Sequence, residues 1–122
     1  MGNDSKLVLV LRKTRELLED ESGWCQGGTY AMSETTCRRC LSSAIEWAVH
    51  RVERGGHLKC AKLRIRVNEA IVQTLSFPRR RGEPGTNNSR IVEANDARST
   101  THGDVLSWID EAIELELDGG IE

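Results

Sequence analysis

Aromatic residues are scarce, with three Trp, one Tyr and one Phe in 122 residues. A core must therefore be mostly aliphatic, with the tryptophans as its largest pieces. A platform for stacking bases is also missing, because single-stranded nucleic acid is gripped by several rings along a groove. No apolar run approaches the ~18 residues that suggest a membrane span. Lys6 to Leu11 is a short apolar stretch, but Arg12, Lys13 and Arg15 follow at once, and it lacks the length and cleavage region of a secretory signal. These absences predict a cytoplasmic chain with no membrane partner. No phosphate-binding loop is present, since Gly27-Gly28 is not followed by Gly-Lys-Ser/Thr. No internal repeat is visible.

What is present fits one domain spanning residues 1–122. A domain of this size buries roughly two-thirds of the surface its unfolded chain exposes, so it folds without disulfides or metal. The net charge of −2 conceals a polarity. Residues 51–90 carry ten Lys/Arg against three acids, whereas residues 91–122 carry one Arg against nine acids. Such blocks either neutralise each other across the folded surface, leave a dipolar exterior, or offer a basic face to nucleic acid or to an acidic protein.

The periodicity predicts an all-α, compact bundle of about four helices. In the first, from Lys6 to Asp20, Leu7, Val10, Leu11, Thr14, Leu17 and Leu18 share a stripe, and Asp4 or Ser5 can cap it. Glu19, Asp20 and Glu21 oppose the dipole at its end, so it should stop by Gly23. A loop follows over 22–35. The second helix takes its N-cap from Ser33 to Thr36 and carries Cys37, Cys40, Leu41, Ala44, Ala48 and Val52 on one face, widened by Ile45 and Trp47. Gly55-Gly56 ends it. The third runs from Leu58 to about Phe77. Pro78, Arg79-Arg80-Arg81, Pro84, Gly85, Asn87 and Asn88 then predict a long polar loop over 78–100, with Ile91 and Val92 fixing its end. The last helix, from about His102 to Leu117, opens on a capping box of Thr101 and Asp104. Its buried stripe is Val105, Leu106, Ile109, Ala112 and Ile113, bordered by Trp108.

Three motifs carry a resemblance. They are Gly23-Trp24-Cys25-Gln26-Gly27, then Cys40-Leu41-Ser42-Ser43-Ala44, then Asn95-Asp96-Ala97 with Thr101-His102-Gly103-Asp104-Val105-Leu106. Together they resemble a domain family of unknown function, number 6197, found in actinobacteria and their phages. Ser43 stands where that family tends to have Gly, and Arg98-Ser99-Thr100 replaces a Pro-Gly-Arg. The resemblance implies a shared fold and a setting. It supplies no mechanism.

The chemistry-bearing residues admit more than one use. In a reducing cytoplasm the four cysteines are expected as free, partly buried thiols. The alternative is zinc held by Cys25, Cys37, Cys40 and Cys60, which would require tetrahedral sulfur ligation. A catalytic alternative makes Cys25 a nucleophile, His102 its base and Asn95 or Asp96 the orienting group. The structural reading makes Trp24, Cys25, Gln26, Gly27, Cys40, Asn95 and Asp96 a packing and hydrogen-bonding corner where the first helix ends. Arg79, Arg80 and Arg81, with Lys59, Lys62, Arg64 and Arg66, form the one basic patch. The leading expectation is a small protein-binding or regulatory domain without a cofactor, acting through its loop and charge-polarised surface. A Cys/His enzyme, a zinc domain and a nucleic-acid-binding domain are the alternatives.

Overall fold

A computed structural model of the chain describes residues 5–26, 40–75 and 87–119. Among them there are five α-helices and no strand: α1 (Lys6–Leu18), α2 (Leu41–Val52), α3 (His57–Val72), α4 (Asn87–Asp96) and α5 (His102–Gly119). A 3₁₀ turn at Glu21–Gly23 follows α1. Among the described residues no helix is long and apolar enough to cross a membrane.

α1 is the central element, packed against both α2 and α5. Its Leu7, Val10, Leu11 and Leu18 meet Leu41, Ile45 and Val49 of α2, Leu63, Val67 and Ile71 of α3, and Val105, Trp108 and Ile109 of α5 in one core. Alanines at 44, 48, 70, 94 and 112 belong to the same core, and small side chains at helix contacts shorten the interaxial distance. Thr14 is buried in α1 yet satisfied, because its hydroxyl donates to the Val10 carbonyl at 2.8 Å.

The helix ends show local chemistry at work. Ser5 caps α1 by accepting from the Val8 amide at 3.3 Å. The helix stops at Leu18, before the acidic run, and Asp20 then accepts from the Ser22 amide at 3.0 Å. Those Ser22 bonds hold the Asp20 carboxyl below its ordinary range. α2 and α3 form an antiparallel hairpin whose connection passes through Gly56 at φ 107°, a left-handed conformation that favours glycine. The Cys60 thiol donates to the Glu53 carbonyl at 3.4 Å and closes the end of α2.

Three expectations are corrected. The second helix begins at Leu41, so Cys40 is its N-cap in extended conformation, not a mid-helix residue sharing a face with Cys37. Its sulfur accepts from the Ser43 amide at 3.5 Å, a role usually filled by oxygen. Trp47, expected to widen the buried face, is 41 % exposed, with the Arg51 guanidinium 5.5 Å from its ring centroid. The expected 78–100 loop is also not loop throughout, since α4 occupies Asn87–Asp96. Only Ile91, Ala94 and Asn95 of α4 are buried, and so small an apolar face gives little periodic signal in so polar a stretch. Cys37, Gly27 and Arg79–Arg81 lie outside the described residues.

Lys6 and Glu53 tie the start of α1 to the end of α2, with Nζ 2.9 Å from Oε2. The Lys6 hydrogen bond, helped by the Gly55 amide, holds the Glu53 carboxyl below its ordinary value. A depressed carboxyl pKa gives stability that is present above the unfolded value of about 4.3 and lost as pH falls through the folded value. Thermal melts from neutral to acid pH should therefore show a decline that is shallower in Lys6→Met. Identical pH profiles would remove the pair from the acid response.

Candidate functional site

The segment after α1, the start of α2 and the end of α4 converge on the side chain of Asn95, which is fully buried. Its position near the end of α4 points its carboxamide at two other segments of chain. Oδ1 accepts from Trp24 Nε1 at 2.7 Å and from the Leu41 amide at 3.1 Å. Nδ2 donates to the Cys25 carbonyl at 3.1 Å and to Asp96 Oδ1 at 2.9 Å. A carboxamide offers two acceptor sites and two donor hydrogens, so Asn95 uses its whole capacity. The Leu41 amide is one of the four that the first turn of α2 leaves without a helical partner.

Gln26 completes the same corner from the outside. Its Nε2 donates to the carbonyls of Asn95 and Ala97, each at 2.9 Å, and lies 3.4 Å from that of Thr100. Thr100 is buried and its hydroxyl donates to the Ala94 carbonyl at 2.6 Å. The last carbonyls of α4 are thus satisfied by two side chains, one of them 69 positions away in sequence. At α5 the capping box closes both ways: Asp104 Oδ2 accepts from the Thr101 amide at 2.9 Å, and Thr101 Oγ1 accepts from the Asp104 amide at 3.1 Å.

His102 opens α5 and points back to α1. Its Nε2 sits 2.6 Å from the Leu18 carbonyl oxygen, an atom that can only accept, so Nε2 carries the hydrogen. Its ring tilts against Trp24, with centroids 5.9 Å apart. On the neighbouring flank Arg15 Nε donates to Asp110 at 2.6 Å, joining α1 to α5 and raising the guanidinium pKa.

Trp24, Cys25, Gln26, Cys40, Asn95 and Asp96 are therefore brought to one corner, joined mainly by hydrogen bonds to Asn95 or its neighbours. Of the catalytic alternative, Cys25 and Asp96 border Asn95, while His102 spends Nε2 on a helix carbonyl. Of the metal alternative, Cys40 and Cys60 bond at opposite ends of the twelve-residue α2, some 18 Å apart at 1.5 Å per residue. No group of three His, Cys, Asp or Glu among the described residues is placed to hold a metal ion. Arg64, expected in the basic patch, is engaged internally: NH1 donates to Glu46 at 3.0 Å, and NH2 to Asn88 at 3.1 Å and Ser42 at 3.3 Å. Thr100 and the Leu41 amide were not foreseeable as members of the corner, because neither is distinctive until α4 is known to be a helix.

Among the described residues these features define an all-helical domain locked by a buried carboxamide. A family model described as a family of unknown function (DUF6197) matches residues 3–115, and the chain belongs to that family. No curated protein and no solved structure matches it.

Removing the carboxamide should cost more than removing any one donor. Asn95→Ala strands the Leu41 amide and Trp24 Nε1 and is expected to destabilise by about 2–4 kcal/mol, against about 1 kcal/mol for Trp24→Phe, which keeps a ring and loses one bond. Urea unfolding measures both. A Trp24→Phe variant as stable as wild type would show that the indole acts by packing alone.

Proposed function

We propose that this chain is a small cytoplasmic protein-binding domain whose α2–α3 hairpin engages an acidic partner. The carrying observation is an exposed cationic face on α3. Among the described residues the ion pairs Lys6–Glu53, Lys13–Glu16, Arg15–Glu19, Arg15–Asp110 and Arg64–Glu46 leave Lys59, Lys62 and Arg66 out. Lys59, Lys62 and Arg66 stand exposed on α3 beside Leu58 and Ile65, which are 69 % and 57 % exposed. Cations around exposed aliphatic side chains suit an acidic surface with an apolar centre, since charge steers the encounter and apolar burial holds it.

Arg79, Arg80 and Arg81 follow in the chain and belong to the same basic block, so we include them in the binding surface. We take an actinobacterial or phage setting as part of this proposal, with a host or phage protein as the expected partner.

The test is cross-linking capture from an extract of the source organism, with a Lys59→Glu/Lys62→Glu/Arg66→Glu variant as control. Wild type should recover a partner cross-linked to α3, in a salt-sensitive way, and the variant should lose at least tenfold. Equal recovery by the variant overturns the charge argument, and loss of the captured species on nuclease treatment replaces the protein partner with nucleic acid.

A further inference from the structure

Between α2 and α3 lies a groove of about 340 Å³, at the lower end of the roughly 300–1,000 Å³ that small-molecule sites span. Asn68 lines it from the buried side of α3 and is only 6 % exposed. Its side chain makes no hydrogen bond among the described residues. Of the carboxamide only Oδ1 is enclosed, so the unpaired Nδ2 is the end left open to the groove. That orientation is the less costly one, because an enclosed carbonyl oxygen goes unpaired more readily than enclosed N–H groups. Buried polar groups are nearly always paired. A donor that is unpaired on a side chain so deeply buried, and open to a groove, marks a place where an acceptor is received from outside.

The rest of the lining decides what else that ligand carries. Val49, Ala61 and Ile65 give it an apolar wall. The one carboxylate, Glu46, and the one guanidinium, Arg64, are paired with each other at 3.0 Å, and Arg64 also donates to Ser42 and Asn88. The groove therefore holds no unmatched charge for an ionic ligand. The Cys60 thiol already donates to the Glu53 carbonyl at 3.4 Å. His50 and His57 are exposed and reach water without a ligand. Lys59, Lys62 and Arg66 do not line the groove, so it is separate from the cationic face of α3.

We infer that the α2–α3 groove binds a neutral small molecule with an apolar body and a carbonyl oxygen, which accepts from Asn68 Nδ2. The apolar body lies against Val49, Ala61 and Ile65, and the carbonyl fixes its orientation. Asn68 is then retained against the interest of the fold. Its Oδ1 stays unpaired, and an apolar side chain of the same shape would occupy the position without that loss. The site stands independently of a protein partner on the cationic face.

Cyclohexanone is the probe, since it is neutral, compact and able only to accept. Titrated into the ¹⁵N-labelled full chain, it should shift the Asn68 side-chain amide resonances and the backbone amides of Ala61 and Ile65 along one saturable curve. Cyclohexylammonium, similar in shape but cationic and without an acceptor, should not. Asn68→Leu should melt above wild type and bind the ketone roughly two- to tenfold more weakly, the effect of one hydrogen bond. Ala61→Phe changes an exposed position and fills the groove, so it should abolish the shifts while circular dichroism reports unchanged helix content. The inference is overturned by a wild type without saturable shifts, by equal response to both probes, or by undiminished binding in either variant. An Asn68→Leu chain that melts below wild type also overturns it, because the carboxamide would then serve the fold.

Discussion

One buried carboxamide constrains this fold more than any single apolar contact. A hydrophobic core specifies that helices pack, but volume-conserving exchanges leave their arrangement adjustable. Asn95 has directional requirements at both of its ends. It is satisfied only when Trp24 and Cys25, the first turn of α2 and the end of α4 occupy one arrangement. A misplaced helix would leave a buried polar group unpaired, at roughly 1–3 kcal/mol for each lost partner. The corner thus adds uniqueness to a core that is otherwise aliphatic and permissive.

The same logic accounts for the otherwise unpromising α4. Its ten residues present little apolar surface, and a helix that short is not stable alone in water. Its carbonyls are closed by Gln26 and Thr100, and Asn88 near its start accepts from Ser42 and Arg64. Polar side chains from three other segments hold it in place. The charges, by contrast, are segregated along the chain: Lys59, Lys62 and Arg66 of α3 and Glu111, Glu114 and Asp118 of α5 are exposed, while Arg64 and Asp110 are paired with other helices.

Much of the helical architecture could be read from residue spacing. α1, α3 and α5 announce themselves by stripes of Leu, Val and Ile, and the Thr101–Asp104 capping box is a local pattern whose partners lie three residues apart. α4 could not be read that way, because what stabilises it is contributed by Gln26, Ser42, Arg64 and Thr100, and tertiary partners leave no periodic trace. Cys40 was misplaced for a related reason. A cysteine is an unusual N-cap, and its apolar character made it look like the continuation of the Leu41–Ala44 face. The residues of the corner were distinctive by type, through Trp24, Gln26 and Asn95, but which atom bonds which depends on topology. Asn68 gave no signal at all, since an Asn within helical register does not disclose whether its amide is paired.

The hydrogen bond from His102 to Leu18 has a consequence for the order of events during synthesis. The two residues are 84 positions apart, so the C-terminal end of α1 is closed by a residue that leaves the ribosome long after α1 itself. The Trp24 and Gln26 bonds span 71 and 69 positions in the same direction. Until α4 and the first turn of α5 have emerged, the nascent chain can form α1 and the α2–α3 hairpin, with Lys6–Glu53 between them, but lacks the bonds of the Asn95 corner. Closing so large a loop is entropically unfavourable, though only logarithmically in its length, and contacts of this separation form late. Every bond that closes this corner onto the end of α1 therefore waits on residues 95–102.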